Sequence, residues 1–307
     1  MSIITYPEAA VIGIVQGVTE LFPVSSLGHS VLIPALVGGS WARDLTVSAA
    51  ESPYLAFIVG LHVATAIALI IFFRRDWRRI LVGLSTSIRD RRVDTSDQRL
   101  AWLLILATIP VGIAGLALEH WFRTTLSKPV PTSIFLAVNG VILLVGERLR
   151  RRAPQPDPVY AEGGDKPRIV DERDLAETSD RTLSAMPVPG AVLIGSAQIA
   201  ALAPGISRSG ITMVAGLLRG LSHEDAARFS FLLATPVILA AGLFKLPDLA
   251  GPLGTGVRGQ VLFGSVLSGV AAYLSVRFLT RYYQVRSLVP FGIYCLVAGL
   301  GCLVYFA

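Results

Sequence analysis

Residues suited to phosphoryl chemistry are concentrated in two short stretches of an otherwise apolar chain. QGVTELFPVSSLGHS (Gln16–Ser30) holds Gln16, Glu20, Ser25, Ser26 and His29, and PGISRSGIT (Pro204–Thr212) holds Ser207, Arg208, Ser209 and Thr212. Arginine presents forked donors that match phosphate oxygens. Serine becomes a phosphoryl acceptor when a neighbouring base takes its proton, and histidine or a carboxylate can be that base. A carboxylate beside bound phosphate is repulsive unless it handles protons or a divalent cation bridges the two. Mg²⁺ and Ca²⁺ take carboxylate and amide oxygens, and Gln16 lies one helical turn before Glu20 on the same face. A metal, an arginine, a serine nucleophile and a histidine form a coherent phosphoryl-transfer set. Singly, each residue has a plainer reading. Serine and threonine in membrane helices mostly pack or bond back to their own helix, a lone histidine suits an interface, and Thr212 fits either use. It is the conjunction that points to a site.

The elements that must position these residues are membrane helices. Of 307 residues, 53% are hydrophobic and 16% charged, with a mean hydropathy of +0.63; soluble domains carry about 25% charge. Six apolar windows reach the length of a bilayer crossing: Leu55–Phe73, Leu100–Leu118, Thr132–Leu149, Ala227–Leu246, Gly259–Leu279 and Val289–Phe306. Two more apolar regions, Tyr6–Val37 and Val188–Leu218, are broken by Pro, Gly and Ser. The first Lys or Arg is Arg43, so the N-terminus lacks the basic start of a signal peptide. Cys295 and Cys302 share one apolar segment and read as packing residues.

Arg74–Arg99 and Arg148–Pro187 each contain eight basic residues next to a span. The positive-inside rule explains them as cytoplasmic loops on an anionic leaflet, and no nucleic-acid partner is called for. With those loops inside, the six spans alternate consistently, both termini lie outside, and each broken region begins and ends on one side. Each half is then one re-entrant hairpin followed by three crossings, in opposite orientation: the inverted-repeat plan of proteins with a site near the bilayer midplane. The expected fold is an all-α polytopic protein of six transmembrane helices and two broken re-entrant hairpins. Its units are a first repeat at 1–150, a cytoplasmic linker at 151–187 and a second repeat at 188–307.

Irregular backbone at membrane depth survives only where protein or water satisfies it, and buried ionisable groups there default to function. Helices should stop near Pro23 and Pro204 and restart after Ser25, Ser26, Ser207 or Ser209, all good N-cap types. Two helix N-termini with Arg208 between them would cradle an anion. His62, His120 and His223 read as packing, interface and loop residues respectively, and Glu119 and Glu147 as solvated span ends.

The motifs resemble those of the bacterial undecaprenyl-diphosphate phosphatases, the bacitracin-resistance family. Gln16–His29 matches Glu/Gln-x-x-x-Glu followed by Pro-x-Ser-Ser-x-Gly-His, and Pro204–Thr212 matches Pro-Gly-x-Ser-Arg-Ser-Gly-x-Thr. The likeness continues in FSFLLATP (Phe229–Pro236) and PFGIY (Pro290–Tyr294). The resemblance implies hydrolysis of undecaprenyl diphosphate to the monophosphate and inorganic phosphate, recycling the lipid carrier for cell-wall synthesis. It implies a divalent cation (Mg²⁺ or Ca²⁺), a place in the bacterial plasma membrane and a site opening to the outer face. Carried over, Glu20 is a metal ligand or proton handler with Gln16 beside it, and Ser26 is the nucleophile. His29 is a base or alternative nucleophile, Arg208 the phosphate clamp, and Ser207 and Thr212 supporting contacts. Gln16 removes one charge from a two-carboxylate metal site, and Cys295 stands where some relatives have arginine. Expected partners are the polyprenyl diphosphate substrate and membrane lipids; a homodimer stays open. The alternative is an inverted-repeat transporter or flippase for a polyprenyl phosphate lipid, which would not need the chemistry of Ser26, His29 and Arg208. The type 2 phosphatidic-acid phosphatases are set aside, because their histidine position falls on Val214.

Overall fold

The computed structural model of this chain describes residues 4–46, 53–152, 179, 182–251 and 256–307; most of the linker expected at 151–187 lies outside them. No strand occurs among the described residues. The helices are α1 (Tyr6–Thr19), α2 (Ser26–Val37), α3 (Gly39–Asp44), α4 (Pro53–Phe72), α5 (Arg74–Asp90), α6 (Ser96–Leu126), α7 (Pro129–Arg152), α8 (Val188–Ala197), α9 (Arg208–Leu218), α10 (His223–Ala250), α11 (Arg258–Val285) and α12 (Val289–Phe306). Local chemistry sets several starts. Thr5 and Glu8 form a capping box ahead of α1, and Thr95 and Gln98 do the same ahead of α6, each satisfying N–H groups that a helix start leaves orphaned.

Six of these helices are long and apolar enough to cross a membrane: α4, α6, α7, α10, α11 and α12. Their outer faces are apolar too, as at Leu116, Leu262 and Val304, which are 79, 69 and 84% exposed. Such a surface would drive aggregation in water and is what lipid requires. The protein is therefore an all-α polytopic membrane protein. All six expected crossings are present, four of them longer than the apolar windows because α6, α7, α10 and α11 continue past the apolar run into polar ends.

The segment 74–99, expected as a loop, is largely the helix α5. Its residues follow a helical period: Ile80, Gly83 and Ser87 are buried on one side, and Arg75, Arg78 and Arg89 are exposed elsewhere around the axis. Arg228 of α10 donates to Asp76 of α5 at 2.5 Å and fastens it to the bundle.

Glu147 and His223 also depart from expectation. Neither is a solvated end or a free loop residue. Glu147 is 3% exposed, and its carboxylate accepts from His223 at 2.7 Å, from Arg151 and from the Leu288 backbone N–H. It joins α7 to the starts of α10 and α12. Burial demands such partners for a carboxylate, and the sequence does not display partners this remote. Glu119 does lie at an open span end, paired with Arg123, and His120 sits beside that pair, 3.4 Å from Arg123.

The two broken segments lie within the bundle. α1 packs along α11 and α8 along α6, while α7 packs along α12 and α4 touches both α10 and α11. Bare glycine faces allow the closest approaches. A Cβ on Gly195 of α8 would come 2.0 Å from the Ala107 carbonyl oxygen of α6, and one on Gly17 of α1 would come 2.3 Å from the Ser268 carbonyl oxygen. A backbone neighbour cannot yield as a flexible side chain can. Gly195→Leu is expected to cost at least about 3 kcal/mol of stability, the upper range for overpacking, read as a fall in melting temperature in detergent. Gly115→Leu, with open space around it, is the control expected to melt as the wild type.

Candidate active site

α1 ends at Thr19 and α2 begins at Ser26, so Glu20 to Ser25 form a turn around Pro23. In the second broken segment α8 gives way to a 3-10 turn, Gln198–Leu202, and α9 begins at Arg208. Ser25 and Ser207 are the N-caps: Ser25 Oγ accepts from the Gly28 N–H and Ser207 Oγ from the Gly210 N–H. Ser26 and Ser209 sit just inside their helices.

The two turns are bonded directly to each other. Ser25 Oγ also accepts from the Gly205 N–H at 3.2 Å, and Ser209 Oγ donates to the Phe22 carbonyl. Ser25 has φ 69°, a left-handed conformation that costs a non-glycine residue about 1–3 kcal/mol and marks positions where function fixes the backbone. Gly205, at φ 111°, would carry a Cβ 2.5 Å from the Thr132 carbonyl oxygen, so only glycine fits there.

Where the turns meet, the Glu20 carboxylate gathers four side chains. Oε1 accepts from Arg208 Nη2. Oε2 accepts from Ser26 Oγ at 2.5 Å and Gln16 Nε2 at 2.9 Å, and lies 3.4 Å from His62 Nε2. Glu20 is 7% exposed and Gln16 fully buried. A lone buried carboxylate would be costly; this one stands between a guanidinium and an imidazole. Arg208 Nη1 donates to the Ala234 carbonyl, and the remaining guanidinium donors suit a phosphate.

Thus Gln16, Glu20, Ser26 and Arg208 come together as expected from their types. The other residues singled out in the sequence do not join them at the carboxylate. His29 Nδ1 faces the Ser25 carbonyl at 2.7 Å, which can only accept, so this nitrogen is the donor. Its Nε2 meets Tyr294 Oη at 2.7 Å, and the two rings stack. Ser207 Oγ and Ser209 Oγ bond to each other at 3.1 Å. Thr212 Oγ1 donates back to the Arg208 carbonyl at 2.7 Å, the helix-internal alternative.

Two site residues escaped the sequence reading. His62, taken as packing, instead reaches Glu20, while its Nδ1 faces the Ile58 carbonyl. An ionisable residue in the middle of an apolar span was itself the signal. Asn139 of α7 is fully buried. Its Nδ2 donates to the Pro23 carbonyl and its Oδ1 accepts the Ser207 N–H, both at 3.0 Å. One amide from a third helix thereby joins the two turns.

One feature bears on a cation. Only the NH₂ of Gln16 can donate to the Glu20 carboxylate, which fixes the amide and leaves Oε1 buried without a hydrogen-bond partner. Such an oxygen is expensive unless a ligand uses it. Among the described residues no three His, Cys, Asp or Glu side chains converge. The donor set is one carboxylate and one amide oxygen, which fits a hard cation that draws its other ligands from phosphate and water.

A family model described as bacitracin resistance protein BacA matches residues 9–301. A protein of Mycolicibacterium paratuberculosis named undecaprenyl-diphosphatase is 64% identical over 306 residues, covering 99% of this chain and 98% of that protein. Undecaprenyl-diphosphatase 1 of Frankia casuarinae is 55% identical, covering 100% and 99%. An undecaprenyl-diphosphatase of Granulibacter bethesdensis is 41% identical, covering 97% and 96%.

If Asn139 fastens the turns, Asn139→Leu should cost about 1–3 kcal/mol, since it strands the buried Ser207 N–H and leaves the Pro23 carbonyl with only the weak Cys295 thiol donor. Asn139→Asp keeps an acceptor for the Ser207 N–H and, once protonated, an O–H donor for Pro23, so its melting temperature should approach the wild type at low pH and fall as pH rises and a buried charge forms. Wild-type melting for both variants would remove the bridge from the account.

Proposed function

The chain belongs to the bacitracin resistance protein BacA family, and from that premise we propose how its buried centre works. The protein hydrolyses undecaprenyl diphosphate to undecaprenyl phosphate and inorganic phosphate, returning the lipid carrier to cell-wall synthesis. It is a multi-pass protein of the bacterial membrane. The observation that carries the site assignment is a single carboxylate, Glu20, in hydrogen-bond reach of both the Ser26 hydroxyl and the Arg208 guanidinium.

In this reading Arg208 holds the terminal phosphate, helped by the first-turn N–H groups of α2 and α9, both of which start at the meeting point. Ser26 Oγ attacks the terminal phosphorus as its proton passes to Glu20. The bond from that phosphorus to the bridging oxygen breaks, and undecaprenyl phosphate leaves. Glu20 gives the serine proton to the departing undecaprenyl phosphate and is a carboxylate again. Water then attacks the phosphoserine as its proton passes to Glu20, which hands it to Ser26 Oγ as the serine P–O bond breaks, and inorganic phosphate departs. Arg208 stabilises charge on the transferring group. His29 acts one step back: its bond to the Ser25 carbonyl holds the strained residue that precedes Ser26. Gln16 Oε1 and Glu20 would hold a divalent cation, Mg²⁺ or Ca²⁺, whose contribution is to neutralise diphosphate charge.

The inverted-repeat reading draws support from packing. α1 lies on α11 as α8 lies on α6, which is the exchange expected if the segment 6–152 and the segment 188–306 are equivalent units of opposite orientation. With the arginine-rich ends inside, both termini and the mouth of the site are assigned to the outer face.

Arg208→Ala and Ser26→Ala should each lower phosphate release from undecaprenyl diphosphate at least about 100-fold, with Arg208→Lys intermediate because it keeps charge without the fork. Full turnover in either alanine variant would overturn the roles assigned here. A chelator should abolish turnover and Mg²⁺ or Ca²⁺ restore it. Gln16→Leu should then raise the half-saturating metal concentration about tenfold, the size of effect expected from disturbing a metal's surroundings, and an unchanged metal requirement would remove Gln16 from the cation site.

A further inference from the structure

Away from the buried centre, the start of α6 and the length of α5 enclose a groove of about 630 Å³. Arg75, Arg78, Arg79, Thr86, Thr95 and Asp97 line it, with Val82 among them. The charges are unequal in consequence. Arg79 is paired with Asp76, and Asp97 offsets one cation. Arg75 and Arg78 are exposed and have no ion-pair or hydrogen-bond partner among the described residues. Two guanidinium groups without a direct partner, at the mouth of a groove where the Thr95 hydroxyl accepts from the Gln98 N–H and keeps its own proton to donate, form a receptor for phosphate oxygens.

The position selects the form of phosphate. α5 follows α4 after one residue, and the other wall of the groove is the first turn of α6, so both walls continue membrane spans at their ends. Beside the arginines, Leu81, Val82 and Ile88 are exposed at 56, 56 and 59%. A helix with a cationic flank next to an exposed apolar stripe lies in the membrane interface. There a phosphate arrives attached to acyl chains that the stripe can cover. We infer that the groove between α5 and α6 binds the headgroup phosphate of an anionic membrane phospholipid, read by Arg75 and Arg78.

The test uses the full chain in neutral detergent, titrated with phosphatidylglycerol or with phosphatidylcholine of the same acyl chains and followed by native mass spectrometry. Arginines near a membrane surface contribute about fivefold each in affinity for anionic lipid. Arg75→Gln with Arg78→Gln should therefore weaken phosphatidylglycerol binding about 25-fold, leave phosphatidylcholine unchanged and leave phosphate release intact. Arg91→Gln with Arg92→Gln, exposed charges off the groove, should bind as the wild type. Equal binding of the two lipids to the wild type would overturn the proposal. So would an equal loss in both double variants, which means diffuse attraction rather than a site. Displacement of phosphatidylglycerol by millimolar inorganic phosphate would assign the groove to a soluble anion instead, and would equally overturn it.

Discussion

A carboxylate inside an apolar bundle has to be answered by positive charge, and here the answer comes from 188 residues away. Neither Glu20 nor Arg208 could be buried without the other, because stranding one partner of such a pair costs several kcal/mol. Their contact therefore dictates that the two broken segments meet. It does not follow that the pair stabilises the fold: an apolar pair of the same size would often do as well or better. What the ion pair provides is a carboxylate and a guanidinium brought together beside a serine hydroxyl, the groups that the proposed mechanism uses as base and phosphate clamp.

Bringing two chain breaks together at that depth raises a second requirement, since unpaired backbone groups cannot rely on water there. The protein meets it with short side chains that cross between the turns. Ser25 serves its own helix and the Gly205 N–H, Ser209 serves the Phe22 carbonyl, and Asn139 serves Pro23 and Ser207 together. The same bonds keep Ser26 next to Glu20, so satisfying the backbone and positioning the proposed nucleophile are one task. That is why so many hydroxyls of the two motifs face each other. Of the serines, Ser26 is the one that donates to the carboxylate.

How much of this was legible in the sequence follows from where each signal lies. Pro23, the paired serines and the charged residues Glu20 and Arg208 are conspicuous against an apolar background, so the breaks, the N-caps and the core of the site could be read directly. The six crossings could too, because lipid imposes a length. Asn139 could not, since a single amide in an apolar helix announces nothing until its two partners are known. His62 by type suits packing, but an ionisable residue inside an apolar span is itself a sign of function. Glu147 and His223 lie at element ends, where sequence favours solvation, and their pairing depends on tertiary geometry alone. The helix α5 was hidden by its arginines, which satisfy the positive-inside rule whether they sit on a loop or on one face of a helix.

The central claim is that Ser26, activated by Glu20, carries the phosphoryl group. Undecaprenyl diphosphate radiolabelled on its terminal phosphate, quenched in parallel in acid and in alkali on the millisecond scale and followed by peptide mapping, tests it most directly. Acid-stable label on the peptide containing Ser26, absent from Ser26→Ala and accumulating before free phosphate, is the expected result. Acid-labile label on His29, or phosphate release with no labelled protein at any time, would contradict it.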